Sequence, residues 1–184
     1  MTEVTVFKVV DFEGNEDALI TETTTYVEGG AQFTSSYTVK NTSPAPIYFR
    51  SIYAGDLYIG GDDYGTGVFE SGPPRFIGGQ NVETGAIGGF QEAAAPALPW
   101  SSFAEGCWNN VSEESEGRCS GASSSDYGIW HEIETTAEEP QTFNETIEPT
   151  DVDNAAGVEW DRLRTAGLPG GQEQAFTITN VYRP

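Results

Sequence analysis

Six of the seven residues in Val4-Thr5-Val6-Phe7-Lys8-Val9-Val10 are β-branched or aromatic, and the run stops at the turn formers Asp11-Phe12-Glu13-Gly14-Asn15. This unit, a strand-length run closed by Gly, Asn or Pro, recurs about every ten residues. Leu19 to Val27 closes at Gly29-Gly30, and Gln32 to Lys40 closes at Asn41-Thr42-Ser43-Pro44. Ile47 to Tyr53 follows, and Gln174 to Tyr182 ends the chain. No stretch sustains a helical period; Asn154 to Arg164 offers one short turn.

The middle reads differently. Gly55 to Gly89 is dense in glycine and aromatics, with short strands at Leu57-Tyr58-Ile59, Gly67-Val68-Phe69 and Arg75-Phe76-Ile77. Residues 91–126 hold an Ala/Pro run and the Ser-rich Ser120 to Ser125, and read as a long loop. Strands resume at Tyr127 to Thr135, Gln141 to Ile147 and near Gly157 to Leu163. The pattern predicts one all-β domain over residues 1–184, an immunoglobulin-like β-sandwich enlarged by a Gly/aromatic-rich insertion at about 55–126. Cys107 and Cys119 flank a polar segment and are expected to form a disulfide that pins it, contributing about 3 kcal/mol. Two Cys and one His exclude a zinc site of protein ligands alone.

Charge narrows the partners. Eight Lys and Arg stand against 29 Asp and Glu, a formal net charge of -21. Such a surface repels phosphate, so nucleic acid is excluded as a partner, and it repels anionic membrane surfaces. No apolar run is long enough to span a bilayer. The opening MTEVTVFKVV lacks the basic start and apolar stretch of a leader and reads as a strand, so the chain is expected to be part of a larger secreted or cell-surface protein.

Alternation puts Lys8 on one face with Val4, Val6 and Val10, and Asn180 with Phe176, Ile178 and Tyr182. With TVFKVVD, FTSSYTVKNTS and the terminal FTITNVYRP, the two ends resemble the immunoglobulin-like repeats of Gram-positive surface proteins and pilins. The resemblance covers about residues 4–50 and 172–184. It implies a stalk or adhesin module locked by an intramolecular isopeptide bond, with Lys8 as nucleophile, Asn180 as electrophile and a buried acid assisting. Glu145, between Phe143 and Ile147, fits that acid by parity; Asp56 and Glu22 are weaker candidates. The opposing expectation is that Thr5, Phe7 and Val9 form the inner face and Lys8 meets solvent.

Two other readings stand beside it. Trp100, Trp108 and Trp130 make a candidate stacking platform for a carbohydrate or protein ligand carried on the insertion, against the alternative that they are core. Asp62 and Asp63, and Asp151 and Asp153, are candidate ligands for one structural calcium, although neither stretch has calcium-loop spacing. No cofactor is required. Nucleophile-elbow, phosphate-loop and dinucleotide motifs are missing, so the chain reads as a binding or structural module rather than an enzyme. Its expected partners are a host or environmental glycan or protein, or neighbouring domains of the same surface protein. Asn41, Asn110 and Asn144 head N-glycosylation sequons.

Overall fold

The computed structural model describes residues 1–62, 64–95, 97–107 and 152–184, with the backbone alone at 64–65, 104–107 and 152–154. The first hairpin forms where turn chemistry dictates. The Asp11 carboxylate accepts the backbone N–H groups of Glu13 and Asn15 at 2.8 and 2.9 Å, and Gly14 takes the positive φ of 86° that closes the turn. It joins β1 (Thr2–Val10) to β2 (Glu16–Tyr26). β3 (Gln32–Asn41), β4 (Ser51–Asp56), β5 (Tyr64–Glu70), β6 (Phe76–Gln80), β7 (Ile87–Glu92), β8 (Ser102–Cys107) and β9 (Val152–Trp160) follow. A one-turn helix, α1 (Arg162–Ala166), leads to β10 (Glu173–Arg183).

These strands make an all-β sandwich. The larger sheet runs β1-β2-β3-β10-β7-β6-β5, antiparallel throughout, and the smaller is β4-β9-β8. The start of β9 pairs with β5 at Tyr64↔Asp153 and Gly65↔Val152, which joins the two sheets at a corner. The core is aromatic. Phe176 of β10 stacks on Tyr37 of β3, with centroids 5.2 Å apart, and meets Trp160 of β9 edge-on at 5.4 Å. Ile77, Phe90, Phe103, Val158 and Ile178 close the same cluster. Each such side chain contributes about 1.5–3 kcal/mol by leaving water.

Among the described residues three strands face seven, and the part they leave uncovered is the β1 side. Phe7 and Val9 sit on the core-facing side of the sheet, opposite Ile20 and Ala18, yet remain 49% and 42% exposed. The middle of the chain is no excursion. Residues 64–92 supply β5, β6 and β7 of the larger sheet, and β8 lies inside the stretch expected to be a loop. The short strands expected at 67–69 and 75–77 lie in or overlap β5 and β6, while the one expected at 57–59 reduces to a bridge from Ile59 to Asp62. Glycine hid the full lengths and β7, because it lowers strand propensity while permitting close approach. Gly67, Gly79 and Gly88 align across β5, β6 and β7, and a Cβ on Gly78 would lie 2.1 Å from the Gly88 carbonyl oxygen. Ile47 makes only a bridge to Leu168, so the strand expected there begins at Ser51. The strands expected over 127–135 and 141–147 lie outside the described residues.

Candidate functional site

The structure does not bring Lys8 and Asn180 together. Lys8 lies on the edge strand β1 with its side chain 68% exposed, and its ammonium pairs with Glu16 at 2.9 Å. The pKa of the ammonium is held above its ordinary value by the hydrogen bond it donates to Glu16 and by that carboxylate's charge. Strands β2 and β3 separate β1 from β10, so the two backbones stand about 14 Å apart. Lys8 also faces outward while Asn180 faces inward. This fold therefore does not form the expected Lys8–Asn180 lock. The inner face of β1 is the Thr5, Phe7, Val9 side.

The assisting acids are scattered as well. Glu22 is half-buried opposite Thr5 and Tyr37. Asp56 ends β4 and is exposed, and Glu145 lies outside the described residues. Trp100 is core rather than platform: it is 4% exposed, and the Arg75 guanidinium lies over its ring at 5.4 Å. Trp108, Trp130, Asp63, Asp151 and Cys119 lie outside the described residues, so the outer aromatics, two of the calcium ligands and the disulfide to Cys107 do too. Asp153 contributes its backbone to the pairing with Tyr64, and Asp62 bridges to Ile59. Among the described residues no three His, Cys, Asp or Glu side chains converge. The Asn41 sequon is closed to modification in the folded chain. Its side chain is fully buried, and Nδ2 donates to the carbonyls of Ala45 and Leu168 at 2.8 and 2.7 Å.

What the fold builds instead is a groove of about 480 Å³ where the smaller sheet stops short of one end of the larger. Its floor is Asn180 of β10, flanked by Phe33 of β3 and Phe90 of β7, which are its ladder partners on the same face. One wall is Tyr53 of β4 and the segment that follows it, through Asp56, Leu57, Tyr58 and Ile59. Tyr26 and Tyr182 complete the rim. Three features hold that wall. The Tyr53 ring packs edge-on against Phe90 at 5.2 Å. Asn81 donates from Nδ2 to the Ile59 carbonyl at 3.0 Å. Gly88 leaves room for Ile59, since a Cβ there would come within 3.0 Å of Ile59 Cγ1.

Asn180 is the buried polar group that lines this groove. Among the described residues three asparagines are buried, Asn41, Asn81 and Asn180. The first two donate from Nδ2 to backbone carbonyls. Asn180 accepts the Tyr53 hydroxyl on Oδ1 at 3.2 Å, and its Nδ2 has no partner. A buried donor without an acceptor costs about 1–3 kcal/mol, and such groups cluster where a ligand completes them. A reversed amide would exchange the orphan donor for an orphan acceptor. Among the described residues Trp100 Nε1 and Glu159 Oε1 are also buried without a hydrogen-bond partner, but neither residue lines the groove. The Arg75 guanidinium lies over the Trp100 ring, and Glu159 accepts from Ser102 Oγ on Oε2 at 2.7 Å with Oε1 3.6 Å from Arg50.

The sequence placed Asn180 correctly on an apolar inner face but not its neighbours. Tyr53, Phe33 and Phe90 come from three segments that no spacing rule links. No protein-family model matches the chain, and no curated protein matches it in sequence.

Proposed function

We propose that the chain is a binding module of a secreted or cell-surface protein, and that its ligand is a carbohydrate seated in the groove over Asn180. The observation that carries this reading is the unpaired Asn180 Nδ2 at the floor of an aromatic-rimmed groove. Tyrosines offer flat apolar faces for the C–H side of a sugar and hydroxyls for its edge, and Asp56 adds an acceptor at the rim. The orphan donor calls for a ligand that accepts hydrogen bonds, which a simple cation does not. The net charge of -21, with Asp56 at the groove, disfavours an anion. A neutral polyhydroxylated ligand satisfies both conditions. The stalk reading loses its lock because Lys8 stands in solvent.

A glycan array followed by calorimetric titration of the best sugar tests this. Tyr58 is 69% exposed on the rim, outside the buried core cluster, and its hydroxyl donates to the nearby Gly61 carbonyl at 2.7 Å. Tyr58→Ala is therefore expected to weaken binding by about tenfold or more at an unchanged melting temperature. Failure of every sugar to bind, or binding indifferent to Tyr58→Ala, would count against the groove.

A further inference from the structure

Among the described residues β1 is the free edge of the larger sheet, and it is unusually apolar for an exposed strand. All nine residues are exposed, and Val4, Val6, Phe7, Val9 and Val10 are each between 42% and 59% exposed. Long apolar edges are normally blunted with proline, charges or bulges, because their unpaired backbone groups recruit other strands. β1 has no proline, and its one register shift lies at its end, between Val9 and Val10. It bears two charged side chains, Glu3 and Lys8, and the Lys8 charge is met by Glu16 within the chain. In a chain of net charge -21, this edge is close to neutral. It is where a second copy approaches against the least repulsion.

Hydrogen-bond phase makes the edge self-complementary. Met1 and Tyr26 exchange both backbone hydrogen bonds, at 2.7 and 2.9 Å. In an antiparallel ladder such pairs alternate. The odd-numbered residues of β1 therefore bond to β2, and Thr2, Val4, Val6, Lys8 and Val10 direct their N–H and C=O groups outward. Among the described residues β1 pairs with β2 alone. A two-fold axis normal to the sheet through Val6 sets Val6 against Val6, Val4 against Lys8 and Thr2 against Val10 of the second copy. Every one of these is an outward-bonding residue on both strands, so the register uses the whole edge and leaves no mismatch. On the other face it sets Phe7 against Thr5 and Val9 against Glu3. The two Lys8 side chains stay four residues apart.

We infer that β1 is a homodimer interface, in which two copies pair β1 to β1 antiparallel about Val6 into one continuous sheet. The two-fold consumes the edge in both copies, so assembly closes at the dimer. A rotation axis normal to the sheet keeps the faces in common, so both grooves open on the same side, toward opposite ends. That arrangement suits bivalent attachment to a repeating ligand.

The test is sedimentation equilibrium of the full chain from micromolar to millimolar concentration, on the wild type, Val6→Pro and Thr5→Pro. Proline at Val6 deletes an outward N–H that no intrachain bond uses, whereas proline at Thr5 deletes a ladder donor to β2. The expected result is a wild-type dimer, a folded Val6→Pro monomer with near wild-type melting temperature, and a destabilised Thr5→Pro. Should Val6→Pro fail to fold, Val6→Lys serves instead. It opposes two ammoniums whose Cα atoms are about 5.5 Å apart and is expected to weaken dimerisation about tenfold or more. A wild type monomeric throughout overturns the inference, including the case in which the edge takes a strand of some other protein. A dimer that survives both Val6 variants, or open-ended association, overturns it equally.

Discussion

The Tyr53 hydroxyl donates to Asn180 Oδ1 at 3.2 Å, linking the smaller sheet to the larger at the floor of the groove and leaving Asn180 Nδ2 buried without an acceptor. Stability gains little from this arrangement, so its amide should be separable from folding. Asn180→Leu removes the orphan donor, and half-buried Tyr53 can turn its hydroxyl to water. Urea unfolding should show a loss below about 1.5 kcal/mol, while sugar affinity falls about tenfold or more.

The aromatic cluster should behave oppositely. Phe176 is 1% exposed and packs on Tyr37, Trp160 and Phe49. Phe176→Ala is expected to cost about 3–5 kcal/mol, because the rings around it cannot collapse into the space. Phe7→Ser, on the uncovered strand β1, should cost under about 1 kcal/mol in the monomer. Denaturant midpoints for the two variants give the comparison.

Glycine is needed where strands crowd. At Gly78 a Cβ meets the Gly88 carbonyl oxygen at 2.1 Å and the Gly89 Cα at 2.7 Å, both backbone atoms that cannot swing away. Gly78→Ala should destabilise by about 2 kcal/mol or more. Gly72 has open space on all sides, and Gly72→Ala should be neutral or stabilising by up to about 1 kcal/mol. Equal melting shifts for both would contradict the packing of β6 on β7.

That crowding also explains what could be read from sequence. β1, β2, β3 and β10 are rich in Val, Thr, Phe and Tyr, so their strand propensity makes their extents legible. β5, β6 and β7 are glycine-rich because their backbones and Ile59 approach closely, a tertiary cause, so only the apolar pieces Gly67-Val68-Phe69 and Arg75-Phe76-Ile77 signalled strands locally. The inner face of β10 was legible by alternation, and so was Asn180 upon it. The inner face of β1 was ambiguous because both its faces are apolar, and the reason is now plain: the smaller sheet covers neither. Strand order decided the rest. The last strand lies between β3 and β7, not beside the first, and no residue pattern announces that.

Among the described residues, two partly buried groups contribute pH dependence of opposite sign. Burial pushes the Glu92 carboxyl up, but hydrogen bonds from the Arg75 guanidinium and the Trp100 backbone N–H outweigh it and hold the group below the usual carboxylate range. Its stabilisation is present above that range and is lost as pH falls through the folded value. Burial pushes the Tyr37 phenol well above the tyrosine range, partly offset by the hydrogen bond with Ser51. Its stabilisation is complete below a pH of about 10 and is lost as the pH rises further. Urea midpoints followed from acid to alkali should show Glu92→Gln flattening the acid limb and Tyr37→Phe flattening the alkaline one.

The most direct measurement is an amide chemical-shift titration of the labelled chain with the best sugar from the array, read at the Asn180 side-chain NH2 pair. The account predicts that these resonances shift on saturation, with the backbone amides of Tyr53 and Phe90, and that in Asn180→Leu the Tyr53 and Phe90 amides respond only at about tenfold or more higher sugar concentration. Shifts confined to residues 108–151, with the Asn180 pair unmoved at saturation, would contradict it and return the ligand to the aromatics of that segment.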